Sequence, residues 1–151
     1  MLGLNLTEQS ATPEFKLGTI FKDIGTDGPC KTYKYIQYDA GTAAAVGVAG
    51  EVAYYMAIVA NTNVVTSDLS DSNSLGAGVL QAAMIDQYYG WVQIGGPATL
   101  TIALTAGADG NALTPVGATD GTLDVSALVT DPICAYADDA SAMTILCCFP
   151  E

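Results

Sequence analysis

The hydrophobic pattern along the chain consists mainly of short runs in which apolar and polar residues alternate. The clearest runs cover residues 32–38, 51–59 and 91–94, and they are rich in the aromatic and β-branched residues that favour strands. In the first run Tyr33 and Tyr35 share one face, whereas Ile36 and Tyr38 share the other. Turn residues recur between such runs at intervals of about eight to twelve residues. The pattern predicts an all-β fold, a single compact antiparallel β-sandwich or small barrel.

The stretch at residues 88–104 contains the only tryptophan of the chain, Trp91. Its alternating residues lead into Gly95, Gly96 and Pro97, and a second alternating run follows at residues 99–104. This arrangement predicts a β-hairpin that turns at the two glycines. Trp91 is the largest apolar side chain available, so we expect it to be mostly buried as an anchor of the core.

The remaining pattern predicts strands at both ends of the chain and leaves one segment ambiguous. Residues 75–87 allow either one short helix, over residues 79–85, or a strand over residues 78–83. Residues 67–74 are predicted to form a solvated loop. Asp68, Asp71 and Asn73 in that loop do not have the spacing of a calcium-binding loop, so no metal site is predicted. Further strands are predicted at residues 15–21, 63–66, 112–116, 122–125, 133–137 and 143–149.

The first 14 residues differ from the rest of the chain. Leu2, Leu4 and Leu6 alternate with smaller or polar residues, and a polar run then leads to Pro13. Leucines two positions apart suit an extended segment, and proline resists its continuation as a strand. We therefore divide the chain into an N-terminal arm, residues 1–14, and a β domain, residues 15–151. The arm is expected to become ordered when a partner receives it; an ordinary frayed terminus is the alternative.

Charge is distributed very unevenly. The chain has 16 acidic residues, four lysines, no arginine and no histidine, and its net charge is −12. All four lysines precede residue 35, and that segment also contains four of the 16 acidic residues. The remaining twelve acidic residues lie in the rest of the chain, which contains no basic residue. Such a surface argues against binding to nucleic acid or to anionic membranes. It favours either solubility alone or a partner with a basic surface.

The residues present also restrict the chemistry. Without histidine, Ser-His-Asp and Cys-His catalytic arrangements are impossible, and without arginine there is no bidentate phosphate clamp. Cys30, Cys134, Cys147 and Cys148 lack the spacing of a zinc site, and we expect four free thiols that act as small buried hydrophobes. We predict a protein that is not an enzyme and needs no cofactor. No apolar run is long enough to span a membrane and residues 1–12 lack a secretory signal, so synthesis in the cytoplasm is expected.

Several short segments carry a family resemblance. They are Phe-Lys-Leu-Gly-Thr at 15–19, Tyr-Gly-Trp-Val-Gln-Ile-Gly-Gly at 89–96, Gly-Ala-Thr-Asp-Gly-Thr-Leu at 117–123 and Ile-Cys-Ala-Tyr-Ala at 133–137. In this order, and with a final hydrophobic strand near the C-terminus, the chain resembles the capsid decoration (cement) proteins of tailed bacteriophages. The resemblance implies a virion structural protein, made in the host cytoplasm, that binds the major capsid protein on the outside of the head. It also implies a homo-oligomer on the capsid, a dimer or a trimer.

Two functional hypotheses follow. In the first, durable attachment to the capsid requires burial of apolar groups, and the candidates for that interface are Leu2, Leu4, Leu6, Pro13 and Phe15. In the second, the chain is a carbohydrate-binding or adhesin-like β module. Such a module would present exposed aromatic side chains to a sugar, and the tyrosine pairs at residues 54–55 and 88–89 are the candidates.

Overall fold

The computed structural model describes residues 4–25, 28–43, 46–56 and 63–151, and within them the chain forms ten β-strands and a 3-10 helix at Leu69–Asp71. No helix in this part of the chain is long and apolar enough to cross a membrane. The all-β prediction is confirmed. The strands are β1 (Ile20–Asp23), β2 (Lys31–Tyr38), β3 (Val52–Met56), β4 (Val64–Thr66), β5 (Ser72–Leu80), β6 (Tyr89–Thr99), β7 (Ala112–Thr114), β8 (Asp124–Val125), β9 (Ala135–Asp139) and β10 (Thr144–Cys148).

Five of the strands close into a small barrel. The pairings run from β2 to β4, β3, β5 and β6, and β6 then pairs with β2 to complete the ring. The β2–β4 pair is parallel, so the sheet is mixed and differs in this one pair from the antiparallel arrangement that was expected. β1 extends the sheet from β2, and β10, β9, β7 and β8 extend it in that order from β6.

The predicted hairpin at Gly95 and Gly96 is wrong, because β6 continues through both glycines and through Pro97 to Thr99. Residues 95–99 pair with β10 after the preceding residues have paired with β2. The ladder to β2 shifts by one residue beside Gly95, and Gly96 has φ of +84°, a value that glycine adopts without strain. The glycines therefore permit a bulge and a change of partner strand, and the predicted second strand at residues 99–104 does not form.

The main hydrophobic core fills the barrel and extends under the outer strands. Ile36, Tyr38, Val52, Tyr54 and Val65 are among its completely buried members. The hydroxyl of Tyr54 donates a hydrogen bond to the carbonyl oxygen of Thr122 at 2.5 Å, which fixes the segment before β8 to the barrel wall. The alternation of faces predicted for residues 33–38 agrees with this arrangement, since Ile36 and Tyr38 belong to this core whereas Tyr33 and Tyr35 do not.

Several local predictions are corrected by tertiary contacts. Of the two alternatives for residues 75–87, the helix at 79–85 does not form, and the strand at 78–83 forms only as far as Leu80, because β5 occupies Ser72–Leu80 and pairs with β3 and β6. The stretch 67–74 is not a solvated loop: Ser67 and Asp68 are buried, and Asp68 caps the 3-10 helix through the backbone N–H of Ser70. The first strand begins at Ile20 rather than at residue 15. The end of the run predicted at residues 51–59 lies outside the described residues.

The cysteines divide into two pairs. All four are free, as expected, but only Cys134 and Cys147 are buried, whereas Cys30 and Cys148 are exposed. The exposed pair therefore does not act as buried hydrophobic residues.

Candidate functional site

A second, smaller hydrophobic cluster is built around Trp91 on the outer face of β2 and β6. Trp91, Tyr33 and Tyr35 are the buried members, with exposed fractions of 2%, 5% and 2%. Trp91 on β6 pairs directly with Tyr35 on β2, and their ring centroids are 5.1 Å apart. Residues paired across antiparallel strands have side chains on the same face, which explains why these rings meet. Trp91 is thus buried, but in this cluster and not in the main core.

The N-terminal segment covers this aromatic cluster. Leu4 and Leu6 pack against it, and Phe15 places its ring 5.5 Å from that of Trp91. Ser10 bridges to Tyr89 through two backbone hydrogen bonds, of 3.0 Å and 2.9 Å. Residues 4–15 therefore contact the sheet of their own chain, unlike the free arm that was expected.

Two further hydrogen bonds hold the segment in place. The backbone N–H of Glu14 donates to the Tyr35 hydroxyl at 3.1 Å, and the backbone N–H of Ile85 donates to Oε1 of Gln9 at 2.9 Å. The sequence could not indicate this contact, because alternating leucines show that a segment needs an apolar surface but not which surface supplies it. Of the other candidate interface residues, Pro13 is exposed, Phe15 is 38% exposed, and Leu2 lies outside the described residues.

A groove remains between the N-terminal segment and β1. Its volume is about 590 Å³, and Trp91 contributes to its lining. The apolar walls come from Leu4, Phe15, Ile20 and Phe21, and two carboxylates, from Glu8 and Glu14, line it as well. Its chemistry suits an apolar side chain that lies next to a positive charge.

We predict that replacing both Leu4 and Leu6 with alanine will lower the free energy of unfolding by about 2 kcal/mol. Buried leucine-to-alanine changes cost about 2–5 kcal/mol each, and these two side chains are only partly buried. Urea melts measure the effect, and Leu128→Ala, at a side chain that is 64% exposed, is the matched control. Equal midpoints for the double variant and the wild type would mean that the segment is a free arm.

Lys34 is a buried charge that the sequence analysis did not single out. Its side chain is 2% exposed, and its Nζ donates to the Tyr55 hydroxyl at 2.6 Å and to the Pro150 carbonyl oxygen at 2.8 Å. Burial lowers the pKa of Lys34, and the negative charge of Glu151 opposes that shift. Because both acceptors belong to the chain itself, the ammonium joins the C-terminal segment to the barrel. The sequence did contain a signal for the burial of Lys34, because Lys34 alternates in phase with Ile36 and Tyr38 and so lies on the same face of β2.

The aromatic candidates for a sugar site are poorly placed. Tyr54 is completely buried, and its hydroxyl is bonded to backbone carbonyl groups. Tyr89 stacks on Tyr35 at 6.3 Å with an interplanar angle of 15°, so one of its faces is occupied. In the ranges that the structure covers, no group of three or more His, Cys, Asp or Glu side chains could hold a metal ion.

Comparison with protein-family models, with curated proteins and with solved structures finds no match for this chain. The function must therefore be inferred from the residues and surfaces of the molecule itself.

Proposed function

We propose that this protein is a virion structural protein that binds the outside of the assembled major capsid protein lattice and stabilises the head. The sequence resemblance to phage decoration proteins is one support. The observation that carries the proposal is the groove beside Trp91, because Leu4 and Phe15, two of the candidate interface residues, form its walls. Trp91 and Phe15 also belong to two separate segments of that resemblance, 89–96 and 15–19, and their rings are in contact.

The groove suits attachment to a protein surface. An apolar side chain of a capsid subunit that enters it would gain about 25 cal/mol for each Å² of apolar surface removed from water. Glu8 and Glu14 would meet a lysine or arginine next to that side chain. Surface charge attracts the partner but is screened beyond about 8 Å at physiological salt, so the apolar contact gives the complex its lifetime. We further propose that the protein acts without catalysis or cofactor and that its copies form a dimer or trimer on the lattice.

Cosedimentation with empty shells tests the proposal. Shells assembled from the major capsid protein encoded in the same genome are mixed with the purified protein, and the bound amount is measured against concentration. We predict saturable binding, and at least a tenfold weaker affinity, about 1.4 kcal/mol, for Phe15→Ala. Ile24→Ala removes a side chain that is 79% exposed and does not line the groove, so it should bind like the wild type.

Both variants must first be shown to be folded by thermal melts, because Phe15 also packs on Trp91. Absence of wild-type binding to the shells would refute the capsid assignment. Specific retention on a glycan array, together with that absence, would favour the carbohydrate-binding alternative.

A further inference from the structure

A row of apolar side chains crosses the solvent face of β6, β10, β9 and β7, away from the Trp91 groove. Pro97 pairs with Leu146, Leu146 with Tyr136, and Tyr136 with Ala112. Leu146 is 50% exposed and Tyr136 is 45% exposed, so both project outward from the sheet. With neighbouring strands about 4.8 Å apart, this apolar row is roughly 14 Å long.

The row ends at a loop that carries the most exposed aliphatic side chains of the region. The backbone N–H of Ser126 donates to the carbonyl oxygen of Ala112 at 2.9 Å, so the loop at residues 126–131 starts beside the last member of the row. Leu128 is 64% exposed and Val129 is fully exposed. We call residues 126–131 the tip loop. Together with the row it forms an apolar surface that folding leaves in contact with water.

The tip loop is held in one conformation by Asp131. Oδ2 of Asp131 accepts hydrogen bonds from the backbone N–H groups of Ala127 at 2.9 Å and Leu128 at 2.8 Å. The backbone N–H of Asp131 in turn donates to the Leu128 carbonyl oxygen at 3.1 Å. A loop that is already ordered loses less conformational entropy on binding than a flexible one. The two aliphatic side chains are therefore presented in advance of any contact.

The charges on β6 to β10 are all negative, and Lys31 on the neighbouring β2 lies against Gly96, at the end of the row opposite the tip loop. β6 to β10 carry Asp124, Asp138 and Asp139 and contain no lysine. Asp138 is exposed and lies two residues after Tyr136 on β9, so it shares the outward face. A partner surface without positive charge would have to remove water from this carboxylate without compensation.

We propose that the tip loop and the apolar row form a docking surface for a partner protein that has an apolar depression bordered by lysine or arginine. Leu128 and Val129 enter the depression, and Tyr136 and Leu146 pack against its rim. A second copy of the chain does not fit this description, because each copy has a net charge of −12 and no base on these strands. The identification of the partner with the capsid lattice rests on the proposed function, whereas the docking surface does not.

The test compares three proteins: the wild type, the double variant Leu128→Ser with Val129→Ser, and the control Val46→Ser with Val48→Ser. The control removes two aliphatic side chains elsewhere on the surface, of which Val46 is 60% exposed, close to Leu128, and Val48 is 45% exposed. The first probe is a mixed-mode resin that bears phenyl and quaternary ammonium groups, used at a salt concentration that abolishes retention on the ammonium resin alone. The second probe is the empty capsid shell, and thermal melts and light scattering accompany both.

We expect the wild type and the control to be retained on the mixed-mode resin and the tip-loop variant to elute early, with unchanged melting temperatures. On shells, the tip-loop variant should bind at least tenfold more weakly than the control. Coelution of all three proteins from the resin would overturn the docking surface. Wild-type self-association that the tip-loop variant abolishes would also overturn it, because the occupant would then be a second copy.

The same experiment separates this inference from the proposed function. If the wild type fails to bind shells but its retention on the resin depends on the tip loop, the capsid assignment fails and the docking surface stands. If the wild type and the tip-loop variant bind shells equally well, the capsid assignment stands and the identification of the capsid lattice as the partner of the docking surface is wrong.

Discussion

Replacing Trp91 with alanine is expected to lower the free energy of unfolding by about 3–5 kcal/mol, the range found when large buried aromatic residues are truncated. Trp91 is 2% exposed, and its ring contacts those of Phe15, Phe21 and Tyr35 at centroid distances of 5.5 Å, 6.4 Å and 5.1 Å. Its removal leaves a cavity between the N-terminal segment and the sheet. The covering segment also loses the surface on which Leu4 and Leu6 pack.

Denaturant melts of the wild type, Trp91→Ala and Trp91→Phe measure this effect. The phenylalanine variant keeps an aromatic ring in the cluster and should lose clearly less stability than the alanine variant. A second observation distinguishes the cluster from the main core: limited proteolysis within residues 4–15 should accelerate in Trp91→Ala under conditions where the barrel remains folded. An unchanged midpoint for the alanine variant would mean that the tryptophan is not enclosed by the N-terminal segment.

The strands whose pattern is strongly periodic could be predicted from the sequence. Residues 32–38 alternate cleanly, and β2 has the predicted limits within one residue and the predicted division of its two faces. The sequence pattern also predicted strands where β3, β9 and β10 occur. In these segments burial and local propensity favour the same structure, so the local pattern is sufficient.

The predictions that were wrong concern segments whose structure depends on contacts between distant parts of the chain. Gly95, Gly96 and Pro97 have the composition of a turn, yet β10, which lies about fifty residues later, supplies partners that keep the segment in a strand. Helix propensity at residues 79–85 is likewise overridden by long-range contacts, because Val79 and Leu80 pair with β6 and Met84 forms a bridge with Gly47. Local composition contains no information about which strand will be adjacent.

The candidate site was predictable only in part for the same reason. Trp91 was identified by its size, and the leucines at positions 4 and 6 by their isolation from any predicted strand. Trp91 contacts these leucines because β2 and β6 are covered on both faces, by the main core on one and by the N-terminal segment on the other. The alternation of tyrosines with Ile36 indicates that both faces of β2 are apolar, but not which segment covers the second face. The tip loop could not be identified from the sequence, because nothing in the residues around Leu128 indicates whether its side chain is exposed or buried.

Buried thiols and phenols provide the second large effect, a loss of stability in alkali. Burial raises the pKa of Cys147 from 9.0 to about 12, and it also raises the pKa of Cys134 and of Cys148. Burial raises the pKa of five tyrosines as well, namely Tyr33, Tyr35, Tyr38, Tyr54 and Tyr55. Ionising the buried members of this set inside the fold would place an anion where water solvates it poorly. Cys148 is exposed, so its thiolate remains in contact with water and contributes least.

The sign of the effect follows from the protons bound in each state. As pH rises above about 9, the unfolded chain releases thiol protons first and phenol protons about one unit later, whereas the folded chain retains them. The contribution of these protonated groups to the free energy of unfolding is thus fully present below about pH 9. It is lost as the pH approaches the raised pKa of Cys147, about 12. Lys34 acts in the opposite direction, because its lowered pKa makes its burial less unfavourable at high pH, but it is one group against eight.

We therefore expect the urea midpoint to be nearly constant from about pH 7 to about pH 8.5 and to fall steeply from about pH 9 to about pH 11, with reductant present throughout. Cys147→Ala should flatten the first part of that decline, since it removes a buried thiol. Cys30→Ala, which changes an exposed thiol, should leave the slope unchanged. A midpoint that stays level up to about pH 11 in the wild type would show that these thiols and phenols ionise as readily in the folded protein as in the unfolded chain, and the buried arrangement of β2, β3 and β10 would then be incorrect.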